Sequence, residues 1–315
     1  MLLIKRLNNF GIRHPGAVAA LGSFDGIHLG HQAIIKRLAA RARRIGHDSV
    51  VITFDPHPQQ VLAKEQRPYL LTTVGEKQEI LEKMGIGVMA VIKFSRQVAK
   101  LSPEGFIRTV MVDKLAVAEV ICGHDCGFGA GRKGNVATLA ELGRRMGFKV
   151  SVLPSMKSKG SKISSSAIRK LISAGHVEKA NGLLGRPYSI NGKVIKGLGL
   201  GRKLGFPTAN IAVSDKFKLL PRDGVYAAKA MIGNKEYDGM LFIGQRSTIG
   251  HQGRTIEFNA FGGKFSFTGK RAIIFPLKYI RLGRKFSSIE GLIKAIAKDK
   301  KKIECYLKTS YSVDF

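Results

Sequence analysis

The stretch that decides the fold of the first half of the chain is Ala17-Val-Ala-Ala-Leu21, followed directly by Gly22-Ser-Phe-Asp-Gly-Ile-His-Leu-Gly-His31. The first five residues are small and apolar, which predicts a short buried strand. The glycines that follow predict a tight turn, and a helix is expected to begin near His28. This helix is indicated by apolar residues at the spacing of one helical face, namely Ile34, Ile35, Leu38 and Ala42. A strand, a glycine turn and a helix in this order are typical of a ligand-binding edge in a parallel sheet.

The rest of the first half continues the alternation of strand and helix. Strands are predicted at 50–54, 88–94, 119–122 and 149–153, and helices at 76–84, 103–115, 139–146 and 165–183. Strands separated by helix-length segments favour a parallel sheet covered on both faces. We therefore predict an α/β domain of the Rossmann-like type.

The second half has a different pattern. Short strand-like runs alternate with glycine turns, and one helix is predicted near the end; the runs are 189–195, 224–232, 240–243, 255–261 and 273–277, and the helix is 288–298. This pattern predicts an all-β domain, a small antiparallel Greek-key barrel closed by a C-terminal helix. The predicted domains are residues 1–184 and 185–315.

Composition and charge limit the class of protein. A chain of 315 residues with 44% hydrophobic residues can form two folded domains. We expect no membrane span, because no apolar run approaches 18 residues, and no signal peptide, because the apolar run at the start has three residues. Three cysteines are too few for a disulfide framework, which favours a cytoplasmic location.

The formal net charge of +31 raises the alternative of a nucleic-acid-binding protein. The basic residues are spread along the whole chain, however, and the sequence has no RNA-binding sheet signature and no paired zinc-ligand spacing. The charge indicates either a general basic bias or a field that attracts polyphosphate substrates.

Two histidines in the opening stretch are candidate catalytic residues. His28 and His31 are three positions apart, so both are expected in the first helical turn, whose free N–H groups favour phosphate. Two imidazoles at this place can donate hydrogen bonds to a triphosphate during attack at its α-phosphorus. The alternatives are surface helix caps or a zinc pair, although zinc-protease histidines lie four apart with a glutamate between them.

The pattern from Gly22 to His31 resembles the HxGH signature of nucleotidyltransferases, in the form seen in bacterial FAD synthetases. A second motif of that family is similar to Ile163-Ser-Ser-Ser-Ala-Ile-Arg169. The resemblance implies that ATP is bound by residues of both motifs, namely Gly22, Phe24, Asp25, Gly30, Ser164, Ser165 and Arg169. Without the first motif, the serines would be interpreted as a helix cap.

The flavin-binding residues of the same family have two counterparts here. The segment from Cys122 to Gly129 is similar to the family's flavin loop at Gly123, Asp125, Phe128 and Gly129, with Cys126 in place of an aromatic residue. The segment Asp55-Pro-His-Pro58 also resembles a loop that borders the flavin. The resemblance thus implies that Pro56, Pro58, Asp125 and Phe128 contact the flavin. A metal site formed by Cys122, His124, Asp125 and Cys126 is the alternative.

The second half contains a glycine-rich stretch from Gly197 to Asn210. It lacks the G-x-G-x-x-G spacing of a dinucleotide fingerprint, and Pro207 stands where the helix would begin. A glycine and lysine loop of this kind can close over phosphates, which makes Gly199, Gly201 and Lys203 candidate ATP-binding residues. Thr208 and Asn210 carry hard oxygen ligands suited to Mg²⁺–ATP, although in isolation the segment is typical of an ordinary turn.

From Leu184 to Ile211 the sequence closely resembles the riboflavin kinase domain, and Gly224-Val-Tyr-Ala227 continues the resemblance. The strand that carries the family's catalytic glutamate is matched by Thr255-Ile-Glu-Phe258, so the resemblance implies that Glu257 is the general base. Arg281, Phe286 and Asp299 fit the closing helical segment of the family. The turn 242–250 departs from it, with serine in place of proline at position 247.

Taken together, the two resemblances imply an enzyme that phosphorylates riboflavin to FMN and then adenylylates FMN to FAD. Its substrates would be riboflavin, FMN and ATP, its metal would be Mg²⁺, and a weak homo-oligomer is one expected form of the chain. Two alternatives stay open: an FAD synthetase whose barrel only binds flavin, and a basic nucleic-acid-binding protein on a nucleotidyltransferase scaffold.

Overall fold

The computed structural model describes residues 1–5, 15–63, 69–158, 161–197, 201, 204–245, 254–263, 265–284 and 286–310, with backbone alone for 157, 158, 161, 162, 245 and 310. These residues form two compact units, Met1–Ser165 and Ser166–Phe315. The change of sequence pattern predicted a boundary at 184, whereas the second unit begins at Ser166 and includes the helices that precede the barrel. The boundary of the folding domains stays a prediction.

The first unit contains a parallel sheet of six strands in the order β1-β4-β3-β2-β5-β6, together with a small hairpin β7–β8. The strands are β1 Leu2–Ile4, β2 Val18–Leu21, β3 Ser49–Asp55, β4 Val88–Lys93, β5 Glu119–Gly123, β6 Lys149–Leu153, β7 Lys157–Ser158 and β8 Ser161–Lys162. The helices are α1 Leu29–Ile45, α2 Pro58–Leu62, α3 Val74–Lys83, α4 Arg96–Lys100, α5 Pro103–Ile107 and α6 Val136–Met146, with a π-helical turn Arg108–Asp113 after α5.

The central strand β2 explains why both faces of the sheet are covered. Ala17, Ala19 and Leu21 face one hydrophobic cluster, together with residues of α5 and α6. Val18 and Ala20 face a second cluster, together with residues of α1 and α3. Because successive residues of a strand point to opposite faces, an entirely apolar strand requires two cores. The predicted α/β architecture is confirmed.

The second unit is a closed barrel of six strands in the order β10-β13-β12-β11-β14-β9. The strands are β9 Ile190–Ile195, β10 Ala209–Val213, β11 Gly224–Ile232, β12 Lys235–Gln245, β13 Arg254–Ala260 and β14 Arg271–Arg281, and the helices are α7 Ser165–Ser173, α8 Val177–Leu184 and α9 Ile289–Ser310. The predicted barrel and terminal helix are therefore confirmed. The single helix expected over 165–183 is two helices, because Gly175 has φ +84° and ends the first one.

The C-terminal helix is attached to the barrel by apolar and ionic contacts. Ile303 and Leu307 of α9 pack with Val225 and Leu277 of the barrel. Arg281 at the end of β14 pairs with the buried carboxylate of Asp299, at 2.7 Å between Nη2 and Oδ2. The helix is longer than predicted, since its apolar face continues to Leu307.

Candidate active sites

The first candidate site lies at the junction of β2 and α1, in the middle of the parallel sheet. β2 lies between β3 and β5, and the turn 22–28 leaves its carboxyl end. His28 is the N-cap of α1, and its Nδ1 accepts a hydrogen bond from the His31 backbone N–H at 3.3 Å. Because Nδ1 is an acceptor, the proton of the neutral His28 ring is on Nε2, the ring nitrogen that does not form the capping bond.

The two imidazoles form a stacked pair. Their ring centroids are 3.7 Å apart with an interplanar angle of 17°, and the Phe24 ring meets His31 edge-on at 5.3 Å. Burial lowers the pKa of His31 well below its ordinary value; His28 and Lys77 lower it further, and Asp125 opposes them. His31 is therefore uncharged at neutral pH, and its buried Nδ1 has no hydrogen-bond partner among the described residues.

The backbone of the turn is held in an unusual conformation. Phe24 and Ile27 have φ values of 44° and 38°, in the left-handed region that residues other than glycine rarely adopt. Gly30 and Gly22 are tightly packed, because a Cβ would lie 3.3 Å from the His28 ring at position 30 and 3.2 Å from the Phe24 ring at position 22. Strained backbone of this kind is concentrated at functional sites.

Asp25 fixes the turn to the segment that precedes α3. Its carboxylate accepts hydrogen bonds from the backbone N–H groups of Leu71 and Thr72, each at 3.0 Å, and the Gly26 N–H donates to the Thr72 hydroxyl at 2.9 Å. Asp25 is 1% exposed. Its observed contacts thus shape the turn, while the contact with ATP that the resemblance implies stays a prediction.

The second phosphate motif reaches the same turn. Ser165 begins α7, and its hydroxyl donates to the Asp25 carbonyl at 2.8 Å. The motifs at 22–31 and 163–165 are thus brought together although 140 positions separate Asp25 and Ser165. Arg169 lies one helical turn further along α7, within the second compact unit. The phosphate contacts of Ser164, Ser165 and Arg169 stay predictions.

Lys77 is a residue of this site that the sequence motifs did not reveal. It lies in α3 and is 4% exposed. Its Nζ donates to the Ser23 carbonyl at 2.7 Å and to the Thr53 hydroxyl at 2.9 Å. The sequence offered no signal for it, because a lysine in a helix is normally exposed.

The candidate flavin residues follow the two strands that flank β2. Pro56 follows β3 after a cis peptide bond, and Pro58 begins α2. Asp125 follows β5 and is near enough to raise the pKa of His31. All three lie at the carboxyl ends of neighbouring parallel strands, where such sheets bind ligands. Phe128 is 5% exposed and packs on Phe106 with centroids 6.5 Å apart, so a flavin contact through its ring stays a prediction.

The alternative metal site in the loop after β5 receives no support. Among the described residues, no group of three or more His, Cys, Asp or Glu side chains could hold a metal ion. Instead the Cys122 and Cys126 thiols share a hydrogen bond, which lowers the pKa of Cys122 and raises that of Cys126. Both cysteines are free, and Cys122 is buried in the core.

The second candidate site lies between β10 and β13 of the barrel. Asn210 and Glu257 are directly paired in the register of the two strands, and the Thr208 hydroxyl donates to Glu257 Oε2 at 3.3 Å. The structure therefore brings together three of the six residues predicted for this site. Hydroxyl, amide and carboxylate oxygens are hard ligands, so the donor set fits Mg²⁺.

The glycine-rich segment packs closely on this site. A Cβ at Gly197 would collide with the side-chain amide of Asn210, and one at Gly201 would collide with the Phe206 carbonyl and lie 3.1 Å from the Thr208 hydroxyl oxygen. Gly199, Lys203 and residues 246–250 of the altered turn 242–250 lie outside the described residues. Asn259, which was not predicted, donates to the Pro207 carbonyl at 2.8 Å and so holds the segment before Thr208.

Comparison with known proteins matches a different family model to each part of the chain. The model for FAD synthetase matches residues 12–167, and the model for riboflavin kinase matches residues 184–307. None of the described helices combines the length and apolar character needed to cross a bilayer.

Full-length relatives contain both parts. The bifunctional riboflavin kinase/FMN adenylyltransferases of Listeria monocytogenes and Escherichia coli are 39% and 32% identical, over 90% and 95% of this chain and 90% and 96% of theirs. A crystal structure described as a macrolide-efflux protein from Streptococcus pneumoniae has a TM-score of 0.86 and 28% identity, covering 96% of this chain and 98% of its own. That structure shares the fold over almost the whole length.

The fold and the two sites define a two-part enzyme that transfers phosphorus-containing groups from a nucleotide. More specifically, the chain belongs to the family of bifunctional riboflavin kinase/FMN adenylyltransferases. The predicted family is thereby confirmed.

Proposed function

We propose that this chain phosphorylates riboflavin to FMN in its barrel and adenylylates FMN to FAD at the histidine pair. The observation that carries the proposal is the presence of both sites in one chain: the stacked His28 and His31 rings at the amino end of α1, and the Thr208–Glu257 pair between β10 and β13. Each lies in the segment that the corresponding family model matches.

In the adenylyl transfer, a phosphate oxygen of FMN attacks the α-phosphorus of ATP, and the bond to the β-phosphate breaks with release of pyrophosphate. The His28 Nε2–H and one N–H of the neutral His31 ring donate hydrogen bonds to the phosphate oxygens as charge develops. The free N–H groups in the first turn of α1 support the same negative charge. The glycine at position 30 leaves room beside the His28 ring, and positioning supplies the remainder of the rate increase.

In the kinase reaction, the 5′-hydroxyl oxygen of riboflavin attacks the γ-phosphorus of ATP, and ADP leaves. Glu257 accepts the proton of that hydroxyl. The hydrogen bond from Thr208 keeps the carboxylate of Glu257 oriented. Thr208 and Asn210 would hold Mg²⁺, which neutralises phosphate charge when bound.

A cytoplasmic location is part of the same proposal. It is supported by the chemistry of the substrates, since ATP and flavin nucleotides are intracellular metabolites, and by the three cysteines, which are all free thiols in the structure.

The test is to incubate the purified chain with riboflavin, ATP and Mg²⁺ and to separate riboflavin, FMN and FAD by chromatography over time. FMN should appear first and then give way to FAD. FAD formed from added FMN but not from riboflavin would show that the barrel only binds flavin. If no FAD forms from either flavin, the proposal is wrong.

A further inference from the structure

Lys77 is a buried cation beneath the nucleotide-binding turn, and no motif of the sequence includes it. Its ammonium donates to the Ser23 carbonyl at 2.7 Å and to the Thr53 hydroxyl at 2.9 Å. Thr53 in turn donates its own hydroxyl proton to the Ser23 carbonyl at 3.1 Å. Two donors from two elements, α3 and β3, therefore converge on one carbonyl of the turn that follows β2.

The helix that carries Lys77 gains nothing from a cation at this position. The lysine lies in the first turn of α3, where the helix dipole disfavours positive charge. The amino end of α3 is already capped by the reciprocal hydrogen bonds of Thr73 and Glu76. Burial lowers the pKa of Lys77 to about 8, although Asp25 and Asp55 oppose the shift. Stability therefore does not explain the charge, because a buried ammonium normally destabilises a fold.

The contacts of Lys77 connect it to the histidine pair of the first site. The Ser23 carbonyl is joined to Phe24, which has φ 44° and whose ring meets His31 edge-on. The positive charge of Lys77 also acts on the ring of His31 and lowers its pKa. Lys77 thus influences the histidine pair in two ways, through the backbone of the turn and through its charge.

We propose that Lys77 is a positioning residue for adenylyl transfer. It holds the Ser23 carbonyl so that Phe24 and His31 keep their arrangement, and it places a fixed positive charge behind the turn that receives the ATP phosphates. The inference rests on the adenylyltransferase function proposed above and concerns the first unit alone.

The experiment compares Lys77→Met with Lys83→Met in the full chain. Methionine matches the length of lysine without its charge, and Lys83 is exposed at the other end of the same helix. FAD formation from FMN is measured with ATP and FMN varied separately, and riboflavin phosphorylation in the same sample shows whether the barrel is intact. Thermal unfolding reports on folding of both variants.

For Lys77→Met we expect kcat/KM for ATP to fall by at least about tenfold, because small displacements of positioned groups are costly to catalysis. The KM for FMN should be unchanged, a pattern that general destabilisation of the unit would not produce. In Thr53→Val, kcat/KM for ATP should fall by only about threefold, since Lys77 still donates to the Ser23 carbonyl. Kinase activity should remain at the wild-type level in all three variants.

Equal adenylyltransferase activity of Lys77→Met and Lys83→Met would overturn the inference while leaving the proposed function intact. If Lys77→Met does not fold, Thr53→Val decides, and a wild-type kcat/KM for ATP in that variant overturns it as well. A wild-type chain that makes no FAD from FMN would instead refute the function on which the inference rests.

Discussion

At the scale of single residues, the two histidines of the first site have different tasks. His28 uses its Nδ1 to cap α1, and we expect its Nε2–H to donate to the nucleotide. His31 makes no such bond through Nδ1, and burial keeps its ring neutral. The sequence spacing predicted their proximity, but neither the stacking nor the capping role of His28 could be predicted, because both depend on side-chain rotamers and on burial.

Substitutions can separate the ring chemistry of the histidines from the helix cap. His28→Asn retains a favoured capping residue but removes the outward N–H, and His31→Ala removes the second ring. Each should lower kcat for FAD formation by about a hundredfold or more, because each removes a donor to the developing charge. The measurement is FAD formation from FMN, with riboflavin phosphorylation as the internal control. His47→Ala, an exposed histidine just beyond α1, should have no effect; a similar loss there would contradict the assignment.

Glu257 is tested in the other unit by Glu257→Gln. The glutamine side-chain oxygen can still accept the hydrogen bond from Thr208, but it cannot accept a proton from riboflavin. We expect kcat for FMN formation to fall by about 10²- to 10⁴-fold, the usual contribution of a general base, with FAD formation from FMN unchanged. The exposed Glu236, which pairs with Lys229, provides the matched control Glu236→Gln. If Glu257→Gln still phosphorylates riboflavin at the wild-type rate, Glu257 is not the general base.

At the scale of elements, the structure shows what local pattern can predict. Both β2 and α1 were predicted from local sequence. A strand buried on both faces is a continuous apolar run, as in β2, whereas a helix buried on one face has apolar residues at helical spacing, as in α1. The three-residue strand β1 was missed, since its order comes from parallel pairing with β4 across more than 80 positions. The burial of Lys77 was missed for the same reason: its partners Ser23 and Thr53 lie on other elements.

The segment after β9 gives a prediction at this scale. Gly197 lies against the Asn210 amide, so Gly197→Ala should displace Asn210 and lower kcat/KM of the kinase by about tenfold or more. The control is Gly182→Ala in α8, where nothing lies within 4 Å of a new Cβ; it should leave both activities unchanged and stabilise the helix by roughly 0.5–1 kcal/mol. The activities of both variants are measured in riboflavin kinase and FAD synthesis assays, and their stability is measured by thermal unfolding. A fully active Gly197→Ala would show that Asn210 is not positioned by this contact.

At the scale of the whole molecule, the order of motifs predicted two domains, each with its own site; the structure has two compact units, and a different family model matches each part of the chain. The division between compact units was harder to predict. Asn181 of α8 donates to the Pro276 carbonyl of β14 and accepts from the Tyr188 N–H, so this helix packs with the barrel that follows it. The contact with Pro276 joins residues 95 positions apart, and the local composition around 184 does not reveal it.

The net charge of +31 also belongs to the molecule as a whole. If its field attracts ATP, kcat/KM for ATP should fall severalfold between about 20 and about 200 mM KCl, as screening shortens the range of the field. The kcat should stay constant, and kcat/KM for riboflavin, which is uncharged, should not respond when ATP is saturating. Steady-state kinetics at several salt concentrations measure both. A KM for ATP that is independent of salt would show that the charge has no part in substrate capture.

Closure of the barrel determines how substitutions in the second unit affect solubility. Because β9 and β10 pair with each other, the six strands leave no open edge, whereas the sheet of the first unit ends in β1 and β6. Strand edges recruit other chains and nucleate aggregates. Substitutions that separate β9 from β10 would therefore make the protein insoluble, so a low yield of such a variant in expression would report an exposed edge and not a defect in flavin chemistry.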